Sequence, residues 1–348
     1  MALLVSGHRI RLSPATASSP LPSGARTGGS IAGRSIAIGS FDGLHLGHQA
    51  LLSACTLAAS DKGLVPSLLS FHPHPRGFFQ PEKAPARLLP LRDKCLELGA
   101  LGIQEAEILR FNRALASTTA PDFVSDILVR DLACGHVVVG EDFRFGARRQ
   151  GDVALLQQMG RELGFGVSAI GPVCSGGERI SSSRLREAIS AGDLQTAEAL
   201  LGRPYRLSGR VQHGQKLGRT LGFPTLNIAM PHDLAARGIF AVTVTGLPHD
   251  GGNALPVEAS GRKDDGTTGL SLTGVASLGR RPTVENQGRL VLEVFVFDWS
   301  GNAYGRQVRV TLRQFLRPEL HFDSIAAMTH QMHDDLARAR AFFAHASV

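Results

Sequence analysis

A parallel α/β sheet followed by an antiparallel β-barrel and a closing helix is the architecture this sequence predicts. Three observations carry it. From residue 35 to about 171, short apolar runs alternate with helical patterns, as in a sheet covered on both faces. Beyond Pro204, strand-like runs follow one another between Gly-rich turns, and a barrel is the closure that removes their exposed edges. Residues 39–48 read Gly-Ser-Phe-Asp-Gly-Leu-His-Leu-Gly-His and join the first strand to the first helix. On such a turn, backbone N–H groups and the positive helix end hold phosphate.

The elements follow in order. Strands are predicted over 35–38, 64–71, 105–111, 136–140 and 165–170, and helices over 49–60, 91–101, 121–132 and 152–163. Ligands of such a sheet bind at the carboxyl ends of its strands. The 39–48 motif, His72-Pro73-His74-Pro75 and Gly140-Glu141-Asp142-Phe143 all fall there. Two short helices, 184–190 and 194–201, meet at a stop glycine and an N-cap acid, Gly192-Asp193. The barrel strands are read at 206–213, 240–246, 272–277, 290–298 and 307–315, with a mobile hairpin loop over 249–269. Asp323 is expected to cap a last helix running to about 344.

At 348 residues the chain is long enough for two domains with separate cores. Hydrophobic content of 43% and charged content of 19% describe a soluble globular protein. The net charge of +7 suits anionic small molecules. Nucleic acid is not expected as a partner, because no run of five basic residues appears and aromatics are few. No apolar run approaches the roughly 18 residues that span a membrane. Cys55, Cys95, Cys134 and Cys174 form no C-x-x-C pair and read as buried reduced thiols of a cytoplasmic protein. Residues 1–34 lack Asp and Glu and carry Arg9, Arg11, Arg26 and Arg34. That composition fits a transit peptide or a disordered leader, and the poor amphipathic periodicity favours the leader. Deleting residues 1–30 is accordingly expected to leave activity intact.

Five motifs carry chemistry. His45 and His48, separated by Gly47, can reach a triphosphate without obstruction and point to nucleotidyl transfer. His72 and His74 alone resemble a pair of metal ligands, but no third ligand stands at useful spacing. Asp142 and Arg144 face either a ligand or each other. Ser181-Ser182-Ser183-Arg184-Leu185-Arg186 opens a helix with hydroxyls, amides and guanidinium groups, an anion site. Gly214-Gln215-Lys216-Leu217-Gly218-Arg219-Thr220-Leu221-Gly222 runs into Phe223-Pro224-Thr225-Leu226-Asn227, a glycine loop followed by two oxygen donors.

Together these motifs resemble the bacterial bifunctional riboflavin kinase/FMN adenylyltransferases over nearly everything from residue 35 to the last helix. The resemblance implies a Rossmann-like nucleotidylyltransferase domain, then an antiparallel six-stranded riboflavin kinase β-barrel with a C-terminal helix. The boundaries expected are a leader at 1–34, an FMN adenylyltransferase domain at 35–186, a helical linker at 187–203 and a riboflavin kinase domain at 204–348. It implies riboflavin, FMN and ATP as substrates, with Mg²⁺ as cofactor. In the first domain His45, His48 and Arg186 are the implied reacting-site residues, with Gly39, Phe41, Asp42, Gly47, Ser182 and Ser183 around the ATP phosphates. His74, Pro75, Asp142 and Phe143 are implied at the flavin. In the barrel Gly214, Gly218, Arg219 and Gly222 are implied at ATP, Thr225 and Asn227 at the metal, Glu293 as general base and Arg317 at the flavin. Ser183 stands where the family usually has Thr, Leu226 where it usually has Ala, and Phe295 where it often has His. Asn302-Ala303-Tyr304-Gly305 replaces a usual Asp-Leu-Tyr-Gly turn. Those last two departures keep open a different phosphorylated acceptor with a degenerate flavin-binding barrel. A basic RNA-binding barrel fits the charge but not the Gly-Phe-Pro-Thr-x-Asn run.

Overall fold

The computed structural model describes residues 7–12, 33–214, 223–231, 234–248, 271–280 and 290–346. The chain divides into two compact units: Met1–Pro85 with Lys94–Ile180, and Ala86–Asp93 with Ser181–Val348.

The first unit is a six-stranded sheet. Its strands are β1 (Gly7–Arg11), β2 (Arg34–Ile38), β3 (Val65–His72), β4 (Glu105–Arg110), β5 (Cys134–Gly140) and β6 (Gly166–Ile170), in the order β1-β4-β3-β2-β5-β6. The four inner pairings from β4 to β6 are all parallel. β2 and the middle of β3 and β5 are buried throughout, which is why they read as unbroken apolar runs. One face packs Ile36, Ile38, Val137 and Val139 against Val124, Leu128 and Leu156. Helix α1 (Leu46–Lys62) covers the sheet through Leu52, Cys55 and Ala59. The chain leaves β2 for β3 on one side and later returns to β5 on the other. The crevice beyond β2 is therefore the switch point where open α/β sheets bind ligands.

Several expectations need correction. The leader contributes β1, which pairs antiparallel with β4 from Gly7 opposite Leu109 to Arg11 opposite Glu105. Deleting residues 1–30 would thus remove an edge strand; five residues were too short to show a period. Arg34, also read as leader, lies in β2 and pairs with Glu105 at 2.9 Å. The helix expected at 121–132 is a short turn, α5 (Ala120–Asp122), running into a π-helical stretch at Phe123–Asp131. Cys55 and Cys134 are buried thiols, and burial pushes Cys134 up to about 12, but Cys174 is exposed.

The second unit holds helices α7 (Ser182–Ala191) and α8 (Leu194–Leu201), a barrel and a C-terminal helix at Ile325–Ala346. The barrel strands are β9 (Arg206–Gln212), β10 (Leu226–Ala229), β11 (Gly238–Thr245), β12 (Leu272–Arg280), β13 (Leu290–Val296) and β14 (Gln307–Arg317). They close in the order β10-β13-β12-β11-β14-β9, and every pairing is antiparallel. β10 escapes a reading by alternation because it is only four residues long. Leu278, Leu292, Val294 and Val310 fill the interior, while Leu336, Phe342 and Phe343 pack near Ile239, Phe297 and Leu316 on the outside. Ser324, not Asp323, caps the last helix, its Oγ accepting from Ala327 N at 3.1 Å.

A short stretch that precedes Lys94 in sequence belongs to this second unit. Tyr205 Oη donates to Leu88 O at 2.6 Å, and Ser208 N donates to Asp93 Oδ2 at 2.9 Å. Ser208 Oγ also donates to the same carboxylate, and Ala235 N donates to Arg87 O at 2.8 Å. The expected 249–269 loop lies outside the described residues.

Candidate active sites

The chain leaves β2 through Gly39, whose N–H donates to Leu69 O at 3.1 Å. It then takes left-handed backbone at Phe41, Gly43 and Leu44, with φ of 48°, 84° and 51°. Two of these carry side chains, so the strain is held by burial: Phe41 and Leu44 are fully enclosed. His45 caps α1, its Nδ1 accepting from His48 N at 3.3 Å. A side chain at Gly47 would press on the His45 ring, at 3.2 Å from its Cβ. The His45 and His48 rings stack at 3.7 Å and 14°, and Phe41 lies 5.1 Å from His48. No acid stands in the first turn of α1, so nothing there offsets the positive helix end.

Burial holds both histidines neutral. Desolvation pushes His45 down to about 4, against its own backbone hydrogen bond and with help from the Arg179 charge. Desolvation, then His45, then Lys94, hold His48 well below 6.5. Because His45 Nδ1 accepts a hydrogen bond, its ring proton sits on Nε2, which is a donor. His48 Nδ1 is buried and makes no hydrogen bond among the described residues. Leaving such an atom unsatisfied costs about 1–3 kcal/mol, which a bound polar group would recover.

In the barrel, Glu293 lies between the enclosed Leu292 and Val294 and so faces outward from β13. The register puts it opposite Asn227 on β10 and opposite Ser277 on β12. Asn227 Nδ2 donates to Thr225 O at 3.2 Å. A Cβ at Gly214 would stand 2.5 Å from the Asn227 amide, so a side chain there would push that amide aside. Gly218, Arg219 and Gly222 lie outside the described residues. Phe295 packs edge-on against Phe223 at 5.7 Å, two residues before Thr225. Asn302 Oδ1 accepts from Tyr304 N at 3.0 Å, building the turn that an Asp would build.

A family model described as FAD synthetase matches residues 30–184, and one described as riboflavin kinase matches residues 201–343. The chain is 41% identical over 309 residues to the bifunctional riboflavin kinase/FMN adenylyltransferase of Escherichia coli K12, covering 88% of this chain and 92% of that protein. The proteins of the same description from Haemophilus influenzae and Listeria monocytogenes are 38% and 34% identical, with 95% and 92% of their lengths covered. This chain belongs to the bifunctional riboflavin kinase/FMN adenylyltransferase family. A solved structure titled as a macrolide-efflux protein from Streptococcus pneumoniae aligns with a TM-score of 0.67 and 26% identity, covering 88% of this chain and 93% of its own. Among the described residues no helix is long and apolar enough to cross a membrane.

For a riboflavin kinase/FMN adenylyltransferase, the remaining expected residues are placed as follows. His74 caps α2 (Pro75–Phe79), its Nδ1 accepting from Arg76 N at 3.1 Å, with Pro75 in the first turn. Asp142 pairs with Arg179 at 2.8 Å and Arg144 with Asp152 at 3.1 Å, so these two loop residues do not pair with each other. Phe143 stacks on Phe145 at 5.6 Å. Ser181 caps α7, which places Ser182 and Ser183 in its first turn, and Arg186 Nε donates to Ala86 O at 2.5 Å. These α7 residues group with the second unit. Arg317 donates to both oxygens of the buried Asp335, at 2.7–3.1 Å, and to Pro318 O at 3.0 Å. Its guanidinium thus ties the end of β14 to the C-terminal helix.

Sequence reading missed one feature near the His-Pro motif. Phe71, Phe78, Phe79 and Phe111 form edge-to-face contacts at 5.4–6.2 Å, and Phe79 remains 65% exposed. The adjacent Phe78-Phe79 pair was the available signal.

The neutral histidines set a pH dependence. An unfolded chain takes up a proton at each near pH 6.5, whereas native His45 waits until about 4. The unfolded state therefore binds more protons between these values, and stability falls as the pH drops from 6.5 towards 4. Urea unfolding of the full chain across this range is expected to show the decline, with a shallower slope in His45→Gln.

Proposed function

We propose that the two activities use separate residue sets, one beyond β2 and one on the outer row of β13. The observation that carries the kinase half is the register of Asn227 opposite Glu293, beside a glycine whose missing side chain leaves room for the Asn227 amide. Thr225, Asn227 and Glu293 present hydroxyl, amide and carboxylate oxygens, a donor set that suits Mg²⁺. Thr225 and Asn227 are the residues that would hold it, and when bound it neutralises charge on the transferring phosphoryl group. Glu293 accepts the proton of the riboflavin 5′-hydroxyl as that oxygen bonds to the γ-phosphorus of ATP and ADP leaves.

In adenylylation an oxygen of the FMN phosphate attacks the α-phosphorus of ATP, and pyrophosphate departs. No protein nucleophile is required. The neutral His45 Nε2–H, the His48 ring and the α1 amides orient the triphosphate and stabilise charge on the leaving pyrophosphate. The half-open aromatic group ending in Phe79 offers the flat isoalloxazine ring an apolar surface.

Incubation of the protein with riboflavin, ATP and Mg²⁺, with flavins resolved by chromatography, tests this reading. FMN is expected first and FAD after it. Chelation should stop both steps and added Mg²⁺ restore them. Full FMN formation with chelator present would remove the metal role assigned to Thr225 and Asn227.

A further inference from the structure

Lys94 stands in helix α3 (Leu91–Ala100), 54 residues beyond Ser40 of the phosphate loop in sequence. Its Nζ donates to Ser40 O at 2.6 Å and to Ser70 Oγ at 3.1 Å. Ser70 Oγ, enclosed at the end of β3, donates to the same Ser40 carbonyl at 3.2 Å. Ser40 immediately precedes the left-handed stretch at Phe41, Gly43 and Leu44. One carbonyl at the root of a strained loop thus receives two donors, one of them charged. A charge-assisted bond of this kind is about twice as strong as a neutral one.

The consequence runs through the loop to the rings. Phe41 follows Ser40 and packs on His48, and His48 stacks on His45. The groups that bear electrostatically on these rings are Lys94 and His45 for His48, and Arg179 for His45. Since both rings are neutral, the formal positive charge there comes from Lys94 and Arg179. A triphosphate and a departing pyrophosphate call for such charge.

Resting on the phosphate-loop reading above, we propose that Lys94 is a positioning residue of adenylyl transfer. It fixes the loop through the Ser40 carbonyl, and with the loop the two histidine rings, and sets an ammonium charge behind them. Ordinary packing would place a lysine stem here, but it would not direct the ammonium onto a partly buried carbonyl of the strained loop.

The test uses the full chain, which carries its own control, since riboflavin phosphorylation by the barrel reports a native molecule. Lys94→Met removes charge and donor while keeping the stem; Lys94→Arg keeps both. The Met variant is expected to convert supplied FMN to FAD with kcat reduced roughly 10²-fold, the scale of a misplaced reacting group. Its KM for ATP should change less, and riboflavin phosphorylation should stay within about twofold of the parent. Its adenylylation pH profile should also move: without the ammonium His48 protonates more easily, so the acid limb shifts to higher pH. In Lys94→Arg that limb should stay in place and most of the rate return. Parental FAD formation by a folded Lys94→Met, or an unmoved acid limb, overturns the proposal. Where the Met variant does not fold, Ser70→Ala takes its place. It removes the second donor to Ser40 O and should slow adenylylation alone. An unchanged rate there, or a folded Lys94→Arg without activity, counts equally against the proposal. Failure of the underlying reading is distinct: His48→Ala would then make FAD at the parental rate whatever Lys94 does.

Discussion

Glu293→Gln is expected to abolish FMN formation while leaving adenylylation of supplied FMN near the parental rate. Glutamine keeps the shape of the side chain on β13 but cannot take the riboflavin 5′-hydroxyl proton. A positioned general base contributes roughly 10²–10⁴-fold, so the loss should appear in turnover with affinities little changed. The fold should be untouched, because Glu293 lies on the outward row and the interior is filled by Leu292, Val294 and their neighbours. Initial rates of FMN and FAD formation, measured separately, decide the matter. A variant that still phosphorylates riboflavin at the parental rate would leave Glu293 as an ordinary strand residue.

His48→Ala should do the reverse, removing most FAD formation while FMN accumulates. The substitution deletes a buried ring that stacks on His45 and lies against Phe41. Loss of one oriented donor to a developing anion costs roughly 10²–10³-fold, and the disturbed stack adds to it. Chromatography of a riboflavin, ATP and Mg²⁺ incubation should therefore show FMN rising without FAD. Equal loss of both products in a folded variant would count against the division of labour.

Much of this was legible in the sequence because it is local. The 39–48 motif declares a strand-to-helix turn by its glycines, its histidines and the apolar run before it. Glu293 was legible only through its resemblance to a family, since an acid on an alternating strand looks like any solvent-facing residue. The register that sets it opposite Asn227 joins strands far apart in the chain, and no period reports such pairings. Lys94 was hidden for the same reason: helical periodicity assigns it to α3, but nothing local says that its ammonium reaches Ser40. β1 and β10 escaped because four or five residues do not establish an alternation. Arg144 was open to pairing with Asp142 on proximity, yet Asp152 caps the next helix and draws it instead.

The segment Ala86–Asp93 has a consequence for how such a two-activity gene can be divided. These residues precede Lys94 in sequence but group with the barrel, where Asp93 receives two bonds from Ser208 and Leu88 receives one from Tyr205. A barrel fragment beginning at Ser181 would lack all of these acceptors. The Tyr205 hydroxyl and both Ser208 donors would each lose one of these acceptors, and a buried polar group that loses its partner costs about 1–3 kcal/mol. No single cut in the reading frame frees the second half with its contacts intact. Separating the two enzymes into two genes would need either a transplanted copy of this short segment or a new set of partners for Ser208 and Tyr205. Descent by simple fission is thereby disfavoured, and the fused arrangement is held in place by a few hydrogen bonds.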